Sequence, residues 1–362
     1  MRRSTAATAH DGRSPPRDGV RDAIAAPVNK MSAGAARSAI VPAIVYVSDQ
    51  SRLHQLALSL FSWRRFKVAD VFVVDLGLSD SGRRWLSDVC GVRLLAPLAP
   101  FRRLSRFGND APRINAYREK THIGAHGVWA ESEDRPLIYL DADIIVTEAS
   151  FLDVVGDVAE NALSACPSVW DNDFNWTYTP EALASLRAVS GVADLSLSEP
   201  IPNSGVTCAR AATWAQLSTV WAEIFDAFLG ISAGPGLLRE GTLPGDQEFL
   251  ALACRRRGVR WSHLHGSCNM QVDPRRVRWA EGAERHPMGG RFGELVEPVR
   301  AVHFGCDASG HVRLPTDALG GATSRAWLDN EVAAAWAAAC AAGLGFALDA
   351  ARGEHSCPGA EG

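Results

Sequence analysis

The stretch Arg135-Pro-Leu-Ile-Tyr-Leu-Asp-Ala-Asp143 is an apolar, strand-like run that ends in two carboxylates. Residues i and i+2 of an extended chain point to one face, so Asp141 and Asp143 can leave a strand side by side and share one divalent cation. The apolar run resumes directly afterwards as Ile144-Ile-Val. Burying unpaired carboxylates costs several kcal/mol, and a bound cation or a polar rim is the expected compensation. An isolated Asp-x-Asp is also common as a turn or a helix cap, so residues elsewhere must decide.

Short β-branched runs alternate with longer helical segments in the first part of the chain. Residues 44–47, 71–74 and 92–95 have the composition of strands, and residues 53–63 and 79–88 that of helices. Nearly continuous apolar strands alternating with helices are typical of a parallel sheet covered on both faces. The sequence therefore predicts an α/β domain with a mostly parallel central sheet flanked by helices.

Ligands of such sheets bind beyond the carboxyl ends of the strands. Asp49 follows the first predicted strand, and His303 ends another predicted strand at residues 299–304. Neutral imidazole is a good ligand for Mn²⁺ beside carboxylates, although a lone histidine at a strand end is more often an ordinary polar residue. Together with the acidic pair, His303 becomes a candidate metal ligand.

Two further polar blocks follow the acidic pair. Ile201-Pro-Asn-Ser-Gly-Val is predicted to be a turn, in which Gly205 lets the backbone approach a ligand and Asn203 offers both a donor and an acceptor. Gly245-Asp-Gln-Glu-Phe-Leu places Asp246 and Gln247 at the start of a helix, where Asp246 can also serve simply as the N-cap.

The order of these blocks resembles the family 8 glycosyltransferases, which are retaining, metal-dependent GT-A enzymes. The resemblance runs from about residue 44 to about residue 305, and it is strongest from residue 118 to residue 304. It implies a single GT-A-like domain of the nucleotide-diphospho-sugar transferase type. It also implies transfer of a hexose from a nucleotide sugar, with UDP as the expected nucleotide and Mn²⁺ or Mg²⁺ as the ion. Retention of configuration is implied by the resemblance alone.

The same resemblance assigns roles to individual residues. The implied metal ligands are Asp141, Asp143 and His303. The implied donor-binding residues, with Asp49 at the rim of the first strand, are Arg118, Lys120, Asn203 and Ser204. The implied catalytic residues near the reacting sugar are Asp246 and Gln247. Residues 264–269 resemble the family's segment that follows the Asp-Gln helix and ends in an asparagine.

Two departures from the family pattern limit the transfer of these roles. The family places a diphosphate-binding lysine after its histidine block, but Gly305-Cys-Asp-Ala-Ser-Gly-His contains no lysine. Arg313 follows further on, but arginine and lysine are not equivalent at a phosphate. Ser48-Asp-Gln-Ser also lacks the aromatic residue that usually follows the first acidic residue. The expected acceptor is a glycan or a small molecule, and the sequence does not indicate an oligomeric state.

Composition bounds the organisation of the chain. The 362 residues are 47% hydrophobic with a formal net charge of -4, which indicates a globular protein without a general attraction to nucleic acid. The eight scattered cysteines and the absence of a secretory signal favour the cytoplasm. The expected layout is a disordered tail at 1–37, a catalytic domain at 38–314 and a helical extension with a disordered end at 315–362. Residues 332–348 are predicted to form a buried or docking helix rather than a transmembrane segment.

Two other classes of protein remain open from the residues alone. A nucleotidyltransferase acting on sugar phosphates would also use an acidic pair and a metal, but no glycine-rich phosphate loop is visible near Ser48. A non-catalytic sugar-binding protein would use Asn203 and the aromatic residues of the segment that contains Trp170, Trp176 and Tyr178 without needing a metal.

Overall fold

The computed structural model describes residues 41–102, 111–129, 134–167, 179–193, 201–231, 246–272, 299–304 and 322–344. The chain divides into two compact units between residues 39 and 40, and every described residue belongs to the second unit. The predicted tail, the aromatic segment with Trp170, Trp176 and Tyr178, and Arg313 lie outside the described residues. The predicted domain boundaries therefore stay predictions.

Ten strands are present among the described residues. They are β1 (Ala43–Ser48), β2 (Asp70–Asp75), β3 (Arg93–Leu95), β4 (Pro136–Leu140), β5 (Ile144–Val146), β6 (Ala162–Pro167), β7 (Pro202–Arg210), β8 (Arg260–His263), β9 (Met270–Val272) and β10 (Ala301–Phe304). The described α-helices are α1 (Leu53–Arg64), α2 (Asp80–Arg84), α3 (Ala111–Lys120), α4 (Phe151–Gly156), α5 (Pro180–Ser190), α6 (Ala211–Ile231), α7 (Gln247–Arg257) and α8 (Ala322–Ala341).

The main sheet has seven strands in the order β3-β2-β1-β4-β7-β6-β8. The pairs β3–β2, β2–β1, β1–β4 and β6–β8 are parallel, and only β7 runs antiparallel to its neighbours β4 and β6. A second sheet has the order β5-β10-β9. The predicted α/β class with a mostly parallel sheet is confirmed.

Strand β7 corrects the prediction of a turn at residues 201–206. Proline, asparagine, serine and glycine favour turns locally, but here the segment is paired on both sides, with β4 and with β6. Pro202 is the first residue of the strand, where a missing N–H is tolerated. Because β7 is antiparallel, its first residues lie at the edge where the parallel strands end.

The two faces of the sheet bury separate apolar clusters, as alternation along β1 requires. Val45 and Val47 belong to one cluster, and Ile44 and Tyr46 belong to the other. Both faces are therefore covered, as the nearly continuous apolar strands predicted.

Helix α6 is hydrogen-bonded to strand β4 and to the residue that precedes helix α7. The indole N–H of Trp214 donates to the carbonyl of Leu137 in β4 over 2.9 Å, and that of Trp221 donates to the carbonyl of Asp246 over 3.0 Å. Both tryptophans are fully buried, so these hydrogen bonds satisfy polar groups inside the core.

Helix α8 packs against α1 and buries Ala335 and Ala339. The indole N–H of Trp85 donates to the carbonyl of Ala342 just beyond the helix over 2.7 Å. A packed helix predicted over residues 332–348 is thus confirmed over residues 332–341, although the helix begins earlier, at Ala322. Among the described residues, no helix combines the length and the apolar character needed to cross a membrane.

Candidate active site

Asp141 and Asp143 lie in a tight turn that joins β4 of the main sheet to β5 of the small sheet. The N–H of Ile144 donates to the carbonyl of Asp141 over 3.2 Å, and the N–H of Asp141 donates to the carbonyl of Gly205 over 2.8 Å. The prediction that strand alternation pairs the two carboxylates was wrong in its geometry, because the chain changes sheets at this point. The turn nevertheless brings both side chains to the predicted rim.

His303 reaches the acidic pair through the small sheet. Strand β10 runs antiparallel to β5 with His303 opposite Ile144, the residue that follows Asp143. The Nε2 atom of His303 lies 3.4 Å from Oδ1 of Asp143 and 3.8 Å from Oδ2 of Asp141. One ligand atom from each of the three residues lies within 4.8 Å of the other two.

This arrangement fits a single divalent cation. Ligand atoms at about 2.1 Å from an octahedral ion lie about 3 Å apart when adjacent and about 4 Å apart when opposite. Two carboxylates and one imidazole are ligands that suit Mn²⁺ and, less well, Mg²⁺.

Gly205 leaves the space in which the three ligands meet. A Cβ atom at this position would lie 2.5 Å from Cε1 of His303 and 2.9 Å from Oδ2 of Asp141. Both distances are far below ordinary van der Waals contact. The close approach at Gly205 involves the side chains of His303 and Asp141, and the predicted approach to a bound ligand stays a prediction.

Lys120 connects this cluster to a second carboxylate. Its Nζ atom lies 3.2 Å from Oδ1 of Asp141, 2.7 Å from Oδ2 of Asp246 and 3.1 Å from Oγ of Ser204. The Ser204 hydroxyl in turn donates to Oδ2 of Asp246 over 2.8 Å. The three carboxylates of Asp141, Asp143 and Asp246 exceed this one ammonium by a formal charge of two, which matches a divalent cation.

Electrostatics keep Lys120 and Asp246 charged. Burial lowers the pKa of Lys120, but the carboxylates of Asp141 and Asp246 outweigh burial, and the pKa is raised. Burial also raises the pKa of Asp246, but Lys120 outweighs it, and the pKa is lowered. For His303, burial lowers the pKa, but the charges of Asp143 and Asp141 outweigh burial, so its pKa is raised above the ordinary value.

Tyr139 orients Asp141 and supports Lys120. Its hydroxyl donates to Oδ1 of Asp141 over 2.6 Å, and Nζ of Lys120 lies 4.5 Å from the centre of its ring. Burial, followed by the charge of Asp141, raises the pKa of Tyr139 well above its usual range, so the hydroxyl stays a donor. Tyr139 was not among the predicted site residues, although it lies near the end of β4, two residues before Asp141.

Asn203, Gln247 and Asn269 form a hydrogen-bonded group beside His303. The amide nitrogen of Asn203 donates to Oε1 of Gln247 over 3.3 Å, and the amide nitrogen of Asn269 donates to Oδ1 of Asn203 over 2.7 Å. The structure thus brings together the predicted metal ligands and most of the predicted donor-binding and catalytic residues. These are Asp141, Asp143 and His303 with Lys120, Asn203, Ser204, Asp246 and Gln247.

Two predicted donor-binding residues make other contacts. The Arg118 guanidinium is buried and donates from Nε and Nη2 to Asp226 over 2.6 and 2.9 Å, and from Nη1 to the carbonyl of Pro100 over 2.7 Å. Asp49 caps the turn that leads into α1, accepting from the Ser51 hydroxyl over 2.6 Å and from the N–H of Arg52 over 3.2 Å. Their roles at the donor stay predictions.

Comparison with known proteins gives structural likeness only. No protein-family model matches the chain, and no curated protein matches its sequence. A galactosyltransferase, LgtC, solved in complex with donor and acceptor sugar analogs, is 17% identical with a TM-score of 0.48, over 80% of this chain and 95% of LgtC. Mouse xyloside xylosyltransferase 1 is 10% identical with a TM-score of 0.44, over 74% of this chain and 98% of that enzyme. The glycosyltransferase GlyE of Streptococcus pneumoniae is 18% identical with a TM-score of 0.38, over 64% of this chain and 47% of GlyE.

These three similar structures are glycosyltransferases, the class that the sequence resemblance indicated. At such identities and TM-scores the likeness assigns neither a family nor an activity to this chain. Function is therefore inferred from the site.

Proposed function

We propose that the protein is a metal-dependent glycosyltransferase that moves a hexose from a nucleotide-diphosphate sugar to an acceptor. The observation that carries the proposal is the convergence of Asp141, Asp143 and His303 on one position, beside the carboxylate of Asp246. A cytoplasmic location, UDP as the nucleotide and retention of configuration belong to the same proposal. The acceptor is a glycan or a small molecule.

The proposed chemistry follows from where charge develops. When bound, a divalent ion acts as a Lewis acid that stabilises negative charge on the diphosphate leaving group. Asp141, Asp143 and His303 would hold Mn²⁺ or Mg²⁺. Lys120 neutralises part of the surrounding carboxylate charge. It also contacts both Asp141 and Asp246, and so holds the turn after β4 at a fixed distance from the start of α7.

Asp246 and Gln247 are the proposed catalytic residues at the sugar. Lys120 and Ser204 both contact Oδ2 of Asp246, which orients the carboxylate for a sugar hydroxyl and for the positive charge that builds at the anomeric carbon. Gln247 is an amide and therefore a poor covalent nucleophile. We favour attack of the acceptor oxygen on the anomeric carbon from the face on which the diphosphate leaves, within an ion pair. This route needs no stable glycosyl-enzyme.

The test compares Asp143→Ala with Asp157→Ala, which removes an exposed carboxylate from the end of α4. Release of nucleotide is measured with and without Mn²⁺ over a panel of sugar nucleotides. We expect wild type and Asp157→Ala to show Mn²⁺-dependent release, and Asp143→Ala to lose it. Unchanged turnover of Asp143→Ala would reject the metal assignment.

The same panel separates the two alternative classes. A nucleotidyltransferase would release pyrophosphate from a nucleoside triphosphate in the presence of a sugar phosphate. A sugar-binding protein would bind sugar without metal and release no nucleotide. Thermal shift with UDP and other nucleotides in the presence of Mn²⁺ identifies the donor base, because a ligand that binds the folded state raises its apparent stability.

A further inference from the structure

A chain of hydrogen bonds with defined direction begins at the backbone N–H of Gly205. This N–H can only donate, and it lies 2.9 Å from Oδ1 of Asn203. Oδ1 of Asn203 is therefore an acceptor, and the side-chain amide of Asn203 has one orientation.

The orientation of Asn203 fixes that of Asn269. A nitrogen of Asn269 must face Oδ1 of Asn203, and Nδ2 of Asn269 lies 2.7 Å from it. The carbonyl oxygen of Asn269 then faces His303, with Oδ1 of Asn269 lying 3.0 Å from Nδ1 of His303. An amide oxygen is only an acceptor, so Nδ1 of His303 carries a hydrogen.

The consequence falls on the other ring nitrogen of His303. In a neutral imidazole with a hydrogen on Nδ1, the atom Nε2 bears a lone pair. This is the atom that lies 3.4 Å from Oδ1 of Asp143. A hydrogen bond to the distal nitrogen is how a metal-binding histidine is commonly held in its ligating tautomer.

Asn203 also reaches the proposed catalytic side. Its Nδ2 atom donates to Oε1 of Gln247 over 3.3 Å, while its Oδ1 atom accepts from both Gly205 and Asn269. Asn203 and Asn269 are 5% and 3% exposed, which leaves little room for direct contact with a ligand. One N–H of Asn203 at most remains for a sugar hydroxyl.

We propose that Asn269 and Asn203 form an amide relay that fixes the metal-ligating tautomer of His303 and couples the position of this ring to Gln247. Both are positioning residues. The proposal rests on the proposed metal-dependent transferase, since the relay acts on its metal ligand and on its catalytic amide.

The first experiment reads the tautomer directly in metal-free protein. Histidine ¹⁵N NMR at a pH where the imidazole is neutral distinguishes Nδ1–H from Nε2–H, and the His303 signal is assigned by its loss in His303→Gln. We expect Nδ1–H in wild type and a mixture of tautomers in Asn269→Ala. A wild-type ring that carries its hydrogen on Nε2 overturns the relay, whatever the protein does with metal.

The second experiment measures Mn²⁺ affinity and turnover in two relay variants. Asn269→Ala removes the partner of His303, and a loss of about 10–100-fold in Mn²⁺ affinity is expected. Asn203→Asp still accepts from Gly205 and Asn269 but cannot donate to Gln247, so its kcat should fall, while its Mn²⁺ affinity should not weaken because the added carboxylate does not repel a cation.

The control is Asn161→Gly, which changes an exposed asparagine with a φ of 50° that glycine adopts without strain. Wild-type Mn²⁺ affinity in Asn269→Ala, with Mn²⁺ binding intact in wild type, overturns the relay and leaves the proposed function standing. A wild-type protein that binds no Mn²⁺ defeats the proposed function, and the NMR measurement then still decides the relay.

Discussion

At the scale of single residues, the site depends on one missing side chain. Gly205 lies in the middle of a buried strand segment, where glycine is unfavourable for strand stability. Its hydrogen allows His303 and Asp141 to approach each other across the backbone. The position illustrates a local preference yielding to the geometry of a functional cluster.

Gly205→Ala is expected to abolish high-affinity Mn²⁺ binding. The new methyl group would lie 2.5 Å from Cε1 of His303, so the ring must move away from the carboxylates. We expect a loss of at least about tenfold in Mn²⁺ affinity, because small displacements of a ligand weaken a metal site. Gly127→Ala is the matched control, since no atom lies within 4 Å of a Cβ at that position. Equal affinities of the two variants would contradict this account of Gly205.

The residues of the site differ in how far sequence could predict them. Asp141, Asp143 and His303 stand at the ends of apolar runs, where a polar residue interrupts a local pattern. Tyr139 could also have been predicted, because it lies in the same apolar run two residues before Asp141. The partner of Arg118 was not, because Asp226 lies 108 residues further along the chain and neither residue signals the other locally.

At the scale of elements, helix α3 delivers Lys120 to the site and is itself held by buried polar contacts. The carboxylate of Glu119 accepts from the N–H groups of Leu98 and Ala99, and the Arg118 guanidinium pairs with Asp226. Burial raises the pKa of Glu119, but the nearby imidazole of His126 and the hydrogen bonds from Leu98 and Ala99 outweigh burial and lower it. The last turn of α3 is therefore held by the two residues that precede Lys120.

Arg118→Ala is expected to destabilise the fold by about 1–3 kcal/mol, because it removes two hydrogen bonds to Asp226, which keeps Arg102 as a partner, and leaves the buried carbonyl of Pro100 without this donor. The free energy of unfolding, measured by chemical denaturation, checks this value. Arg84→Ala, at an exposed position, should stay within about 0.5 kcal/mol of wild type. Unchanged stability of Arg118→Ala would contradict a structural role for these contacts.

Helix α7 contains a buried carboxyl that opposes folding at neutral pH. Burial raises the pKa of Glu248 from 4.5 to about 7, and its Oε2 atom has no hydrogen-bond partner among the described residues. Between these two pKa values the folded protein binds more protons than the unfolded chain. The contribution of Glu248 to stability is therefore fully present below pH 4.5 and is lost as the pH rises through about 7.

Glu248→Gln should remove this dependence. At pH 8 the variant is expected to be more stable than wild type by about 3 kcal/mol, and at pH 4 the two should be nearly equal. Unfolding free energies at both pH values provide the measurement, with the exposed Glu160→Gln as control. A stability difference that is the same at both pH values would show that Glu248 does not titrate as described.

At the scale of the whole molecule, apolar patterning predicted strands β1 to β4 and helices α1 and α2, because both faces of this part of the sheet bury apolar clusters. It failed at β7, where turn-forming residues are held extended by two neighbouring strands. That reversed strand places Asn203, Ser204 and Gly205 beside the ends of parallel strands. Strand direction is a property of the assembled sheet, and local residue preference does not encode it.

Mn²⁺ titration followed by electron paramagnetic resonance shows whether side chains from the two sheets bind one cation. We expect one bound Mn²⁺ per wild-type chain and per Asp157→Ala chain, with affinity lowered by at least about 100-fold in Asp143→Ala and in His303→Ala. Equal Mn²⁺ binding by wild type and both ligand variants, or no binding by folded wild type, would contradict this expectation.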